Sequence, residues 1–194
     1  MIETHVSRDQ LPAAIRQDVA LTPVKPTVMG EGHYEGTTGN RTAEAIHIRQ
    51  QAYQTFFCGA AGHTYGGGFD TDGNGPLFAP TNNWKPLLEW PGAGQMVFLR
   101  RFLEEHDWWA WQPAGEVIVA GRGEGELEKV AVRSSESLLV YFPDHSSVEL
   151  DWHSAATAHW YNTQRGESVA GQVSDSGRYI LPAGLDDGVL ILKR

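Results

Sequence analysis

Lys25 to Gly36, KPTVMGEGHYEG, is the stretch on which the fold assignment turns. Pro26 can open a strand, because the first position tolerates a missing backbone N–H. Thr27, Val28 and Met29 then read as a short buried strand, and Gly30 ends it. Glu31, His33, Tyr34 and Glu35 follow directly, crowding polar groups beyond the strand's C-terminal end. In parallel α/β folds the loops leaving the carboxyl ends of the strands form the ligand crevice, so a carboxylate there is a candidate for catalysis. The simpler alternative is a surface loop after a core strand, with Glu31 solvated or holding an arginine. This segment by itself favours that alternative.

The flanking segments add a βα rhythm. Met1 to Val6 reads as a strand with His5 at its end. Asp9 can cap a helix whose first turn tolerates Pro12 and whose apolar stripe is Leu11, Ile15 and Val19. Asn40 or Thr42 is the expected cap of a longer helix through Phe57. Ala60 to Tyr65 predicts a third strand, with His63 and Tyr65 near its C-terminal end. Gly66 to Gly94 is rich in Gly, Pro, Asn and Asp, a long loop whose Trp84 and Trp90 argue for order. Gln95 to His106 is amphipathic, with Met96, Leu99, Phe102 and Leu103 on one helical face. Strands alternating with helices predict a parallel sheet.

Past Trp111 no helical period survives. Short apolar runs such as EVIVAG, KVAVRS, SLLVYFPD and GVLILKR alternate with turn signals, the pattern of an antiparallel sandwich or barrel. The expected division is therefore an α/β unit over residues 1–112 and an all-β unit over 113–194. The acidic run GEGELE, Gly123 to Glu128, is most simply a solvated hairpin.

Composition narrows the partners. A net charge of −9 over 194 residues argues against nucleic acid, since phosphate binding needs a basic face. One cysteine, Cys58, excludes an internal disulfide and reads as a buried small hydrophobe. No apolar run approaches the ~20 residues of a membrane-spanning helix. Localisation is not legible. Among the histidines, no HExxH or closely spaced pair supports a metalloprotease, and no GxSxG turn supports a serine hydrolase. His145, His153 and His159 of the β-rich part read as solvated. No metal and no cofactor is implied.

Taken together, KPTVMGEGHYEG, IRQQAYQTFFCGAAGHTYGGG, PGAGQMVFLRRFLEEHDWW and AHWYNTQRGE resemble the C-terminal half of the apiosidase-like glycoside hydrolases. In that family a (β/α)8 (TIM) barrel precedes a small β-sandwich labelled as a collagen-binding domain. The resemblance implies a partial barrel, last strands and helices only, with Met1–Val6, Lys25–Gly30 and Ala60–Tyr65 as strands six, seven and eight. It implies a carbohydrate substrate, with Glu31 at the nucleophile position of a retaining mechanism that needs two carboxyl groups. His5, His33, Tyr34, His63, Tyr65 and Trp84 would line the sugar site, Trp84 being as readily a packing residue. Glu35 is a nearby competitor that could instead pair with Arg41, and Asp70 and Asp72 stay open as a second carboxylate.

A barrel takes about 250 residues, and three parallel strands leave open edges. The expectation is thus a C-terminal portion of a longer enzyme, inactive alone, completed by the missing barrel half or self-associating at those edges. The alternative is a non-catalytic module whose sandwich binds carbohydrate or protein. Carbohydrate is the expected partner either way; neither nucleic acid nor a membrane is.

Overall fold

In the computed structural model, which describes residues 7–39 and 41–194, the Leu11–Ile15 stripe forms helix α1 (Leu11–Val19). Leu11 and Ile15 are buried and Pro12 sits in the first turn, where no N–H is needed. The strand expected at Met1–Val6, and His5 with it, lies outside the described residues. Strand β1 (Val28–Met29) ends in the loop carrying Glu31. A hairpin follows, β2 (Gly36–Thr38) against β3 (Arg41–Ala43), and it takes Thr42 out of the helix-capping role expected of it.

Helix α2 (Ala45–Phe57) is capped instead by Glu44. The Glu44 carboxylate accepts from the backbone N–H of His47, and the Glu44 N–H donates to His47 Nδ1 at 3.0 Å. The cap was missed because the box signature expects Ser or Thr followed by Glu or Gln, and here an acid and a histidine do the same work. Strand β4 (Gly62–His63) pairs in parallel with β1, Val28 facing Gly62 and Met29 facing His63. It is shorter than the expected Ala60–Tyr65 strand. Helix α3 (Pro91–Glu105) starts at Pro91 rather than Gln95, because Pro91-Gly92-Ala93-Gly94 carries no apolar stripe to reveal it.

Beyond residue 111 the described elements are strands and single 3-10 turns. The strands are β5 (Gln112–Pro113), β6 (Ile118–Ala120), β7 (Val130–Arg133), β8 (Ser137–Phe142) and β9 (Val148–Leu150). They continue with β10 (Thr157–Asn162), β11 (Glu167–Ala170), β12 (Arg178–Tyr179) and β13 (Gly188–Lys193). One sheet has six strands in the order β11-β10-β13-β8-β7-β5, and a second has three, β12-β9-β6. Both are antiparallel throughout.

The central strands β7, β8 and β13 of the six-stranded sheet are buried on both faces, which explains why SLLVYF and GVLILK read as unbroken apolar runs. Leu138, Val140, Phe142, Leu190 and Leu192 face Val148, Leu150 and Tyr179 of the smaller sheet. The alternate residues Val132, Leu139, Tyr141, Val189 and Ile191 pack with Ile15, Tyr53, Phe57 and Phe102 of the three helices. The order is helices, large sheet, small sheet, and residues on both sides of position 112 share one core.

Polar groups pin this junction. Arg49 of α2 donates through Nη2 to Asp187 Oδ1 at 2.6 Å and through Nη1 to Gln95 Oε1 of α3 at 2.7 Å. Tyr141 Oη donates to Asp187 Oδ2 at 2.9 Å. The GEGELE run is docked, not solvated: it folds into a 3-10 turn (Gly125–Leu127) and Glu128 is buried. Arg16 of α1 pairs with Glu128 at 2.9 Å, and Gln54 of α2 donates to the carbonyls of Gly125, Glu126 and Glu128. A run of carboxylates gives no sign in sequence that a helix face supplies their partners.

Candidate active-site cavity

β1 ends at Met29, so the chain leaves the parallel ladder before Glu31 and turns its carboxylate into a cavity of about 790 Å³. Tyr34 folds back beside it, and its hydroxyl donates to Glu31 Oε1 at 2.5 Å. The ring can lie there because residue 66 is glycine; a Cβ at that position would collide with Tyr34 Cδ1 and Cε1. Burial, reinforced by the bond to Glu31 and its negative charge, pushes the Tyr34 phenol up to about 12, so it keeps its proton. His33 lines the same cavity, with its backbone clamped by α2: Gln51 Oε1 accepts from His33 N, and Gln51 Nε2 donates to His33 O, both at 2.9 Å. Burial lowers the His33 pKa and the nearby Arg8 and Arg41 lower it further, so the ring is neutral at neutral pH.

Arg8, Arg41, Phe69 and Phe78 complete the walls. Sequence reading missed them because they come from four separate segments that only the fold brings together. Among the described residues lining this cavity, Glu31 is the one carboxylate.

The structure separates the other expected residues from Glu31. His63 lies opposite Met29 in register, and the two share a side of the short sheet, the side that faces the helices. With Tyr65 it lines a different cavity of about 270 Å³, against Phe56, Leu99 and Trp108. Burial there holds His63 down at about 4, and Nε2 has no partner among the described residues. The Tyr65 hydroxyl goes to Glu35 Oε2 at 2.7 Å.

Glu35 is itself buried and, among the described residues, pairs with no arginine. It accepts from the backbone N–H of Gly92 at 3.0 Å, in the first turn of α3, where the helix dipole favours an anion. It is a strut between loop and helix. Trp84 is half exposed and lines neither cavity. Asp70 accepts from the N–H groups of Asp72 and Asn74 and organises its own turn.

The apiosidase-like catalytic domain family matches residues 3–110. A solved structure described as a glycoside hydrolase is similar over 99% of this chain and 47% of its own, with TM-score 0.83 and 27% identity. The crystal structure of a glycoside hydrolase family 5 protein from Bacteroides vulgatus ATCC 8482 is similar over 99% of this chain and 46% of its own, with TM-score 0.81 and 27% identity. The chain thus spans about half the length of these solved structures. A search among curated proteins gave no significant match.

Proposed function

This chain belongs to the apiosidase-like family, whose catalytic-domain pattern covers residues 3–110, and we propose that it supplies the nucleophile side of a retaining glycoside hydrolase site. In this reading residues 1–112 are the closing part of a (β/α)8 barrel, β1 and β4 being strands seven and eight. Residues 113–194 are the family's β-sandwich. The observation that carries the reading is the Glu31 carboxylate. It stands just past the C-terminal end of a parallel strand, opens into a large cavity and is held by a tyrosine that keeps its proton.

Glu31 attacks the anomeric carbon through Oε2, the oxygen not engaged by Tyr34. The aglycone departs with a proton from a second carboxylic acid, and water then cleaves the glycosyl ester. The Tyr34 hydroxyl fixes the carboxylate's orientation and, by its hydrogen bond, stabilises the charge that returns to Glu31 on deglycosylation. Neutral His33 offers its ring nitrogen to a sugar hydroxyl. Glu31 is alone among the described lining carboxylates, which supports an acid/base supplied by another strand and no turnover by these 194 residues alone. That same observation favours a second reading, a carbohydrate-binding module that performs no hydrolysis.

The test is hydrolysis of aryl glycosides and pectin-derived oligosaccharides by a protein of the solved structures' length that contains this chain. The Glu31→Gln variant should bind substrate and lose turnover. Unchanged turnover removes Glu31 from the chemistry, and no turnover by the unsubstituted protein on any substrate favours the module.

A further inference from the structure

A second cavity, of about 730 Å³, borders the same β2–β3 hairpin as the Glu31 cavity. The two share Thr42, Ala43 and Phe69 in their walls, which makes them neighbours at the hairpin. The far walls are Trp90 at the start of α3 and two turns of the strand-rich part, at Gln164 and Asp186. Trp90 is a built aromatic wall. Its ring packs on Gly36, whose φ of +79° suits glycine and where a Cβ would lie 2.5 Å from the indole Cη2. Phe69 is equally fixed, its N–H and carbonyl bonded to the carbonyl and N–H of Thr37 at 2.9 Å each.

The charges select the ligand. Glu35, Glu44, Asp70 and Asp186 line this groove; Glu35 is engaged by Tyr65 and Gly92 and Asp70 by its own turn, while the groove's one arginine, Arg49, is buried and committed to Asp187 and Gln95. The Glu31 cavity has the opposite bias, with Arg8 and Arg41 in its wall. An anionic chain would be repelled from the groove, while carboxylates accept hydrogen bonds from paired hydroxyls and aromatic faces pack on the C–H face of a sugar ring. We infer that the groove is a subsite for a neutral saccharide segment, reached by the polymer whose glycosidic bond Glu31 meets. The inference rests on the glycosidase reading for its connection to Glu31, but not for the binding itself.

The experiment titrates the 194-residue chain, labelled at its indole nitrogens, with cellohexaose, xylohexaose, galactohexaose and, separately, a galacturonic acid hexamer. The Trp90 N–H resonance, assigned with Trp90→Phe, should move with at least one neutral hexamer and stay in place with the acidic one. Asp186→Asn and Gln164→Ala should each weaken that binding by about tenfold, read as a Kd ratio. Stationary Trp90 with every neutral hexamer overturns the inference, as does equal binding of the acidic hexamer or indifference to both groove variants. The two proposals fail separately: turnover that survives Glu31→Gln removes the nucleophile and leaves the subsite standing. A silent Trp90 removes the subsite and leaves the nucleophile standing.

Discussion

Replacing Arg49 with methionine tests whether the helices and the large sheet form one cooperative structure. The guanidinium is almost wholly buried, with its side chain 2% exposed, and Asp187 is 0% exposed. Arg49→Met fills much of the same volume but leaves Asp187 with Tyr141 as its remaining side-chain donor and strips Gln95 Oε1 of its partner. Removing one member of a buried pair costs about 3–5 kcal/mol, because the other charge stays in a dry interior. For a chain of this length each kcal/mol is about 2–4 °C in Tm, so the midpoint should fall by about 6–20 °C. The assay is differential scanning calorimetry alongside near- and far-UV circular dichroism. One transition should move as a whole, since Ile15, Tyr53 and Phe102 share a core with Leu139 and Ile191. The double variant Arg49→Met/Asp187→Leu should recover most of the loss, as apolar replacement of a buried pair is often neutral. A loss below ~1 kcal/mol for the single variant, about the cost of one ordinary hydrogen bond, would refute the reasoning. So would two transitions of which only one moves.

Other consequences can be measured on the same chain. His63 sits near 4 when folded against an ordinary 6.5, so the unfolded chain binds the proton more tightly. Its neutral form therefore contributes stability that is complete above pH 6.5 and lost as pH falls towards 4, ~3 kcal/mol by linkage; His63→Phe should flatten the melting temperature over that window, and an unchanged slope would count against burial as the cause. Tyr34 titrates near 12 when folded. Tyr161 is raised to about 12 as well, so the Tyr34 ionisation is read at 295 nm as the difference between the unsubstituted chain and Tyr34→Phe, centred about two pH units above free tyrosine; the associated stability is present below pH 10 and lost as pH rises through 12, and a difference centred near pH 10 would count against it. Gly66→Ala should displace the Tyr34 ring and destabilise the chain by about 1–3 kcal/mol, as overpacking does, and a neutral outcome would show that the loop gives way freely.

What was legible in the sequence was periodicity. Leu11 and Ile15 marked α1, the Leu99-Phe102-Leu103 face marked most of α3, and the loss of helical period after Trp111 marked the strands. Glu31 was legible as a candidate because loops at strand ends form ligand crevices, and the structure places it in a cavity wall just past β1. What sequence could not give was direction. His63 and Tyr65 occupy strand-end positions like that of Glu31, yet pairing in register with Met29 turns His63 to the helices, and Tyr65 is claimed by Glu35. Partners distant in the chain were equally hidden. Glu35 carries no mark of the α3 N-terminus it binds, and Glu128 and Asp187 look like surface acids until Arg16 and Arg49 are folded onto them. The hairpin between Gly36 and Ala43 went unseen because its strands are short and polar, with no apolar alternation to announce them.

The role given to Glu31 can be read by trapping. A protein of the solved structures' length containing this chain is incubated with an activated 2-deoxy-2-fluoro glycoside of a sugar it cleaves, then digested and examined by mass spectrometry. Inactivation with one glycosyl unit on the peptide carrying Glu31, absent from Glu31→Gln, is the result expected. A label on Glu35, Asp70 or another carboxylate, or continued turnover with inversion and no label, would contradict it.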